Sequence, residues 1–327
     1  MRAWQVDRNG EPADVLALVD RPLPEPGRGQ LLVRVRAAAL NFPDVLLCRG
    51  QYQVRPPLPF VPGIELCGTV VADGPETWGF TAGDRVIGTP ALPDGALAEY
   101  ALVDAAEAYP APEALDDDAA AAMHIAYQTG WFGLHRRARL AAGETLLVHA
   151  AAGGVGSAAV QLGKAAGATV VAVVGGPDKA KIATRLGADV VVDRRSDDVV
   201  ATVKEATGGR GADVVYDPVG GDAYTWSTKC IAFEGRIVVV GFTSGDIPAP
   251  SLAHALVKNY SIEGLHWGLY RQRDPAAVAA AHDRLCELAD EGIVAPLVGE
   301  RLDLDAAADG LTRLAAGETV GRLVVRP

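Results

Sequence analysis

Apolar and polar positions follow different patterns in the two halves of the chain. Up to about residue 110, short apolar runs such as Gln30–Ala37, Cys67–Ala72 and Asp84–Gly88 are separated by frequent Pro and Gly. Short runs bounded by turn residues predict β-strands. This part of the chain is therefore expected to form an irregular, β-rich domain.

From about Asp116 the pattern changes to short apolar runs that alternate with stretches of helical periodicity. Strands are predicted at Thr145–His149, Thr169–Val174, Val190–Val192, Val214–Tyr216 and Arg236–Val240, and helices at Ser157–Ala166, Lys179–Leu186, Asp197–Ala206, Pro275–Asp290 and Leu304–Ala315. A last strand is predicted at Arg322–Val325. Alternating strands and helices predict a doubly wound parallel sheet, so the fold class is α/β.

Composition narrows the possible partners and the compartment. The 327 residues suggest two domains, and 30 Lys and Arg against 41 Asp and Glu give a net charge of −11. This acidic balance argues against nucleic acid and anionic membranes as main partners. No apolar run reaches the roughly 18 residues that a membrane span needs, and the start lacks the apolar core of a signal peptide. A cytoplasmic location is expected. The four cysteines are scattered, which indicates neither a zinc knuckle nor a disulfide framework.

A glycine-rich turn lies between the predicted strand at Thr145–His149 and the helix that follows it. It reads AAAGGVGS from Ala150 to Ser157, with Gly153 and Gly156 in the second and third glycine positions of a dinucleotide fingerprint and Ala151 in the first. Glycines here let a pyrophosphate approach the backbone and the helix N-terminus. Gly153, Gly154, Val155 and Gly156 are therefore assigned to cofactor binding. The alternative is a tight turn that binds no ligand.

The next strand indicates which nicotinamide cofactor would bind. An NAD site usually has Asp or Glu at this strand tip, whereas here the strand ends Val-Val-Gly175-Gly176. Gly175 leaves room for a 2′-phosphate, and Lys179 and Arg194 supply positive charge. Asp178 is interpreted as a helix cap that points away. These features favour NADPH. The alternative is that Lys179 and Arg194 are ordinary solvated surface residues.

Several segments in order resemble one enzyme family. They are LNFPDVLLCRGQY (40–52), PLPFVPGIELCGTV (57–70), GDRVIG (83–88), GALAEY (95–100), AAAGGVGSAAVQLGK (150–164) and GADVVYDPVGG (211–221). The chain resembles the zinc-independent medium-chain dehydrogenases/reductases, in the quinone oxidoreductase branch related to zeta-crystallin. The resemblance implies a GroES-like catalytic domain formed by residues 1–123 and 264–327, and a Rossmann domain at 124–263. It also implies a homodimer formed near Ser261–Gly264.

The same resemblance predicts that no metal is bound. The zinc-dependent branch has Cys where this chain has Asn41, and His where it has Ile64 in Gly63-Ile64-Glu65. The cysteine-rich loop of that branch has no counterpart between Arg85 and Tyr100. A tetrahedral catalytic zinc needs three protein ligands, and those expected are missing.

The resemblance also suggests site residues. Asn41 and Tyr52 are the expected catalytic residues, as hydrogen-bond donors to the acceptor or, for Tyr52, as a proton donor; Asn41 also counts toward the cofactor site. The alternatives are turn capping by Asn41 and simple packing by Tyr52. Asp44 is interpreted as a helix cap and Glu65 as a structural acceptor. The remaining expected cofactor contacts are Thr129, Val219, Gly241, Phe242, His266, Trp267 and Gly268.

The function implied is metal-independent hydride transfer from NADPH to a small electrophilic acceptor, namely a quinone or a related compound. One alternative is an enoyl-thioester or enone reductase on the same scaffold, with Arg49, Arg55, Arg271 and Arg273 available for a coenzyme A phosphate. A second alternative is a cofactor-binding regulatory or structural protein with little turnover.

Overall fold

The computed structural model describes all residues, Met1–Pro327, and contains two compact units. The first unit comprises Met1–Ile125 and Ala295–Pro327, and the second comprises Ala126–Val294. The sequence-based division placed residues 264–294 with the first domain, whereas here they belong to the second unit. Within that unit the Gln128 side chain donates to the Val278 carbonyl at 2.9 Å, and the Phe132 and Tyr270 rings lie 4.3 Å apart.

The N-terminal part of the chain is rich in strands, as its apolar pattern predicts. Its elements are β1 (Arg2–Val6), α1 (Pro12–Val15), β2 (Leu16–Asp20), β3 (Gln30–Ala39), α2 (Phe42–Cys48), β4 (Leu66–Asp73), β5 (Arg85–Gly88), β6 (Tyr100–Asp104), a 3₁₀ turn (Ala105–Glu107), β7 (Ala108–Pro110) and α3 (Asp117–Trp131).

The middle and C-terminal parts alternate strands with helices. After a π-helical turn (Phe132–Arg137) come β8 (Thr145–Val148), α4 (Gly154–Ala165), β9 (Thr169–Val174), α5 (Pro177–Arg185), β10 (Val190–Asp193), α6 (Val199–Ala206), β11 (Ala212–Asp217), α7 (Gly221–Cys230), β12 (Ile231–Val239), α8 (Leu252–Lys258), β13 (Ser261–Gly264), α9 (Trp267–Arg273) and α10 (Pro275–Asp290). The chain ends with β14 (Val298–Asp303), a 3₁₀ turn (Leu304–Ala306), α11 (Ala307–Ala315) and β15 (Arg322–Arg326). None of the helices is both long and apolar enough to span a membrane.

The first unit is built on a seven-stranded sheet in which the C-terminal strand joins the N-terminal ones. Its order is β14-β15-β3-β4-β5-β7, with β6 also paired to β3. Val324 on β15 lies opposite Ala39 on β3, and the Leu40 N–H donates to the Leu323 carbonyl at 2.9 Å. This register brings the start of β15 to the residues that directly follow β3.

The second unit contains a six-stranded parallel sheet in the order β10-β9-β8-β11-β12-β13. Helices follow most of the strands, and the strand interiors are apolar and buried, as is usual when both faces of a parallel sheet are covered. The strand order reverses between β8 and β11. Ligands of such sheets bind beyond the carboxyl ends of the strands at this switch point. The predicted doubly wound α/β fold is confirmed.

Candidate active site

The glycine turn begins α4 at the carboxyl end of β8. A Cβ atom at Gly156 would lie 2.2 Å from the Ala150 carbonyl oxygen, so the turn packs too closely for any side chain there. Gly153 is the N-cap residue of α4, and its own added Cβ would lie 3.2 Å from the same oxygen. Gly154 and Val155 occupy the first helical turn, where backbone N–H groups have no helical partner. The helix begins at Gly154, three residues earlier than predicted.

Three cations gather at the tip of β9, beyond Gly175. The Arg194 guanidinium lies against Gly175, where an added Cβ would be 3.3 Å from Nη2, and that of Arg195 lies against Gly176. Burial lowers the pKa of Lys179, and the neighbouring Arg195 and Arg194 lower it further. The charges of all three side chains therefore influence one another.

Arg195 was not among the residues expected from the sequence. The sequence could have indicated Arg195, because Arg194 and Arg195 are adjacent and directly follow β10. The cluster of Lys179, Arg194 and Arg195 is called the cation cluster below.

The two carboxylates adjacent in sequence to the cation cluster, Asp178 and Asp193, are already engaged. Asp178 is exposed and pairs with Lys181 at 3.0 Å on the same helix, and it does not act as a side-chain N-cap of α5. Asp193 accepts hydrogen bonds from the backbone N–H groups of Gly176 at 2.8 Å and Arg195 at 3.1 Å. These two bonds lower the pKa of Asp193, with a further contribution from the positive charges of both arginines.

The loops after β11 and β12 meet at the same edge of the sheet. The Asp217 carboxylate accepts from the N–H groups of Val219 at 2.8 Å and Gly220 at 3.0 Å. The Gly241 N–H bonds the Asp217 carbonyl at 3.4 Å, and the Phe242 ring lies against Gly220, where an added Cβ would be 2.9 Å away. The structure therefore brings together Val219, Gly241 and Phe242, three of the expected cofactor contacts.

The other expected cofactor contacts in the second unit lie elsewhere. Thr129 is buried on α3. His266, Trp267 and Gly268 lie at the start of α9, after edge strand β13, and are separated from β9 by the intervening strands. The exposed His266 ring covers Gly268, where an added Cβ would lie 3.2 Å from Nε2. The structure does not group these residues with the cation cluster.

In the first unit, Asn41 is the centre of a buried polar cluster. Its amide nitrogen Nδ2 donates to the Ala39 carbonyl at 3.0 Å and to Glu65 Oε2 at 2.9 Å. Its oxygen Oδ1 accepts from Arg322 Nη1 at 2.8 Å. Both amide protons are thus used inside the protein. In this arrangement Asn41 has no donor left for an acceptor carbonyl, which was the role expected from the sequence.

Glu65 is the acceptor of this cluster. One carboxylate oxygen, Oε1, accepts from the Ile125 N–H at 2.6 Å, and the other accepts from Asn41 and from Arg322 Nη2. Glu65 is fully buried, and burial raises its pKa while the Arg322 charge opposes that rise. Arg322 was not singled out from the sequence. Its partners lie 257 and 281 residues away along the chain, and only the β15–β3 register brings them together.

Asp44 stabilises the same region by accepting hydrogen bonds from backbone N–H groups. It lies in the first turn of α2, which begins at Phe42 rather than near Val45 as expected. Its two oxygens accept from the N–H groups of Asn41 and Gly63, each at 2.9 Å. Complete burial raises the pKa of Asp44 to about 7.

Tyr52 lies in the loop after α2. It is half-buried and packs beside an apolar cluster that includes Leu47, Phe60 and Ile64. Ile64 fills the position at which the zinc-dependent branch has a ligand. No group of three or more His, Cys, Asp or Glu side chains is arranged to hold a metal ion.

Comparison with known proteins decides the family. Residues 27–113 match the alcohol dehydrogenase GroES-like domain, and residues 154–283 match the zinc-binding dehydrogenase domain. The quinone oxidoreductase-like protein 2 homolog of Nematostella vectensis is 36% identical over 302 residues, which are 91% of this chain and 82% of that protein. This chain belongs to the zinc-independent medium-chain dehydrogenases/reductases.

Solved structures of this family agree with the fold along the whole chain. The Escherichia coli quinone oxidoreductase complexed with NADPH has a TM-score of 0.91 and 30% identity, and the match covers 100% of both chains. The mycobacterial protein Rv1454c complexed with NADPH has a TM-score of 0.93 and 32% identity, also over 100% of both chains. Both relatives are complexed with the cofactor that the β9 tip of this chain predicts.

Proposed function

We propose that this medium-chain reductase uses NADPH, without a metal, to reduce a small electrophilic acceptor, with a quinone as the favoured substrate class. The observation that supports it most is the cation cluster at the tip of β9. Three positive side chains at one strand tip suit a cofactor that carries an additional phosphate. An NAD site would instead need a carboxylate for the ribose hydroxyls.

The rest of the second unit suits a dinucleotide as well. Gly156 allows the glycine turn to pack against the start of α4, and the N–H groups of the first helical turn can bind a pyrophosphate. The loops that carry Val219 and Phe242 are fixed by Asp217 at the carboxyl ends of the strands. These residues would hold NADPH through its phosphates and along its length.

NADPH supplies a hydride when bound, and the protein supplies binding, orientation and exclusion of water. A quinone is already electron-poor, so its reduction needs no Lewis acid, and the hydroquinone anion can take a proton from solvent. The Asn41 amide protons are used internally, which leaves the Tyr52 hydroxyl as the remaining expected donor. An enone or enoyl thioester would additionally need a proton at its α-carbon after hydride transfer, and Tyr52 is the expected donor of that proton.

The experiment that tests the proposal is oxidation of NADPH and NADH followed by absorbance. The acceptors are simple quinones, an alkyl enone and a crotonyl thioester, each with and without a chelator. We expect turnover of quinones with NADPH that the chelator does not change. Activity confined to the enone or thioester would move the function to double-bond reduction. Tight NADPH binding with no turnover of any acceptor would favour a regulatory or structural protein.

We also propose that the protein forms a homodimer through β13. This strand lies at the edge of the parallel sheet, so one side of its backbone is available for pairing. Helix α8, directly before it in the chain, exposes Leu252, Leu256 and Val257. Light scattering coupled to size-exclusion chromatography should give twice the 34.0 kDa mass of the chain. A measured mass equal to that of one chain would contradict the homodimer. The cytoplasmic location stays a prediction.

A further inference from the structure

We infer that Lys179 is a site of covalent modification by small phosphorylated aldehydes, whose phosphate binds Arg194 and Arg195 while the aldehyde group meets the lysine amine. The inference gives the cation cluster a second class of ligand. It goes beyond the proposed function, because it does not require that the protein binds a nicotinamide cofactor. It rests on the placement of three side chains of the second unit and on the chemistry of each.

Two guanidinium groups cover adjacent residues of the turn after β9. A Cβ atom added at Gly175 would lie 3.3 Å from Arg194 Nη2, and one added at Gly176 would lie 3.0 Å from Arg195 Nη1. Both arginines are exposed, so a phosphate can reach them from solvent. Guanidinium groups bind phosphate oxygens through paired, charge-assisted hydrogen bonds. The turn therefore offers a binding site for the phosphate of a small molecule.

The amine of Lys179 belongs to the same cluster. Lys179 is the third residue of α5 and is half-buried. Burial lowers its pKa, and the positive charges of Arg195 and Arg194 lower it further. The positive end of the α5 dipole acts in the same direction. At neutral pH a larger fraction of this amine is therefore uncharged than in an ordinary lysine.

The neighbouring carboxylates do not restore the charge of Lys179. Asp178, on the same helix, is exposed and pairs with Lys181 at 3.0 Å. Asp193, at the end of β10, accepts hydrogen bonds from two backbone N–H groups. The charged groups that shift the pKa of Lys179 are the two arginines alone.

The reaction that this arrangement favours is imine formation. The uncharged amine attacks the aldehyde carbon, the carbonyl oxygen leaves as water together with the two amine protons, and a C=N bond replaces the C=O bond. No oxidant or reductant takes part. An ammonium group cannot attack because its nitrogen has no lone pair, so a lowered pKa makes a lysine the better nucleophile. A phosphate bound nearby raises the effective concentration of the aldehyde.

Pyridoxal 5′-phosphate is the probe that tests the inference. It is added to the full chain at one equivalent, the imine is reduced with borohydride to a stable secondary amine, and peptide mass spectrometry measures the label on each amine. The amines are the amino terminus and six lysines, namely Lys164, Lys179, Lys181, Lys204, Lys229 and Lys258.

Lys181 is the matched control, because it lies on the same helix but is 75% exposed and paired with Asp178. We expect Lys179 to be labelled about tenfold faster than Lys181, the lower end of the range for charge-assisted hydrogen bonds to the phosphate. Label on Lys179 no higher than on Lys181 would overturn the inference.

Pyridoxal, which lacks the phosphate, separates the two contributions. Without a phosphate for the arginines to bind, the preference for Lys179 over Lys181 should fall about tenfold. Inorganic phosphate should slow labelling of Lys179 by pyridoxal 5′-phosphate and leave Lys181 unchanged. Equal labelling of Lys179 by both aldehydes would show that the arginines do not bind the phosphate, which contradicts the inference.

Variants test the arginines directly. Arg194→Gln combined with Arg195→Gln removes the phosphate-binding groups and the charges that lower the pKa of Lys179. Labelling of Lys179 should then fall to the rate of Lys181. Arg185→Gln, a change at an exposed position of the same helix, should leave the labelling as in wild type. Wild-type labelling of Lys179 in the double variant would overturn the inference.

The result is distinguishable from a failure of the proposed function, since labelling is measured without NADPH. If NADPH occupies the cation cluster, adding it should protect Lys179. Selective labelling of Lys179 that NADPH does not prevent would support the modification site and contradict the proposed cofactor site. Unselective labelling of a protein that oxidises NADPH would overturn the modification site and leave the proposed function intact.

Discussion

The two polar groupings of this protein show opposite ways of using charge. In the first unit, Asn41, Glu65 and Arg322 are buried and bond one another, although Arg322 Nε has no hydrogen-bond partner. In the second unit, the cation cluster places like charges together at the surface of the β9 tip. The first arrangement is stable without a ligand. The second becomes favourable when an anion arrives, so it is the better indicator of a ligand.

The largest expected effect comes from breaking the buried grouping. Glu65→Gln replaces the carboxylate by a neutral amide and leaves the Arg322 charge buried without its direct partner. Removing one member of a buried ion pair costs about 3–5 kcal/mol, and we expect a loss of that size in the free energy of unfolding, measured in urea. Glu300→Gln is the control, because its partner Arg313 is partly exposed and such pairs contribute at most about 1 kcal/mol. Equal losses of unfolding free energy in both variants would contradict this difference between a buried and a partly exposed ion pair.

Changes to the cation cluster should weaken cofactor binding and leave the stability of the protein unchanged. Arg194→Gln combined with Arg195→Gln is expected to weaken NADPH binding by about 10- to 100-fold, the range for lost charge-assisted hydrogen bonds, and to leave NADH binding nearly unchanged. Stability should not fall, because removing these charges relieves repulsion on Lys179. Fluorescence titration with both cofactors measures the effect.

Arg185→Gln, a change on the exposed face of α5, is the matched control for the cation cluster, and it should leave both affinities unchanged. Parallel losses of NADPH and NADH affinity in the double variant would show that the arginines do not recognise the additional phosphate.

The two groupings also differ in how far the sequence alone could reveal them. The cation cluster is local, because Gly175 and Lys179 are neighbours in the chain and Arg194 follows the next strand; only Arg195 was missed. The partners of Arg322 lie more than 250 residues away, and their meeting depends on a strand register that no local pattern encodes. The strands and the glycine turn were predictable from periodicity. The orientation of the Asn41 amide was not predictable, because it depends on three partners, Ala39, Glu65 and Arg322, that come from separate segments.

The pH dependence of stability should show a separate effect through Asp44. Its pKa of about 7 in the folded protein lies above the ordinary 3.8, so between about pH 4 and 7 the folded state holds a proton that the unfolded state has released. The contribution of Asp44 is therefore most favourable below pH 4 and is lost as the pH rises toward 7. Its slope reaches at most about −1.4 kcal/mol per pH unit.

Comparison with Asp44→Asn isolates this contribution, because other groups titrate alike in both proteins. The difference in free energy of unfolding between wild type and variant should fall as the pH rises from 4 to 7 and level off above 7. A difference that stays constant across this range would show that Asp44 is ionised throughout, in which case its two backbone hydrogen bonds outweigh the effect of burial.

The smallest expected effect concerns Asp178, the acidic residue closest in sequence to the cation cluster. If its carboxylate faced the ribose, Asp178→Asn would shift the preference toward NADPH. In the structure the carboxylate is exposed and pairs with Lys181 along α5, and exposed pairs of this kind contribute only a few tenths of a kcal/mol. We therefore expect the ratio of NADPH to NADH affinity to change by less than about twofold. A tenfold gain in NADPH preference would mean that Asp178 turns toward the cofactor, and that the cation cluster selects NADPH against an opposing carboxylate.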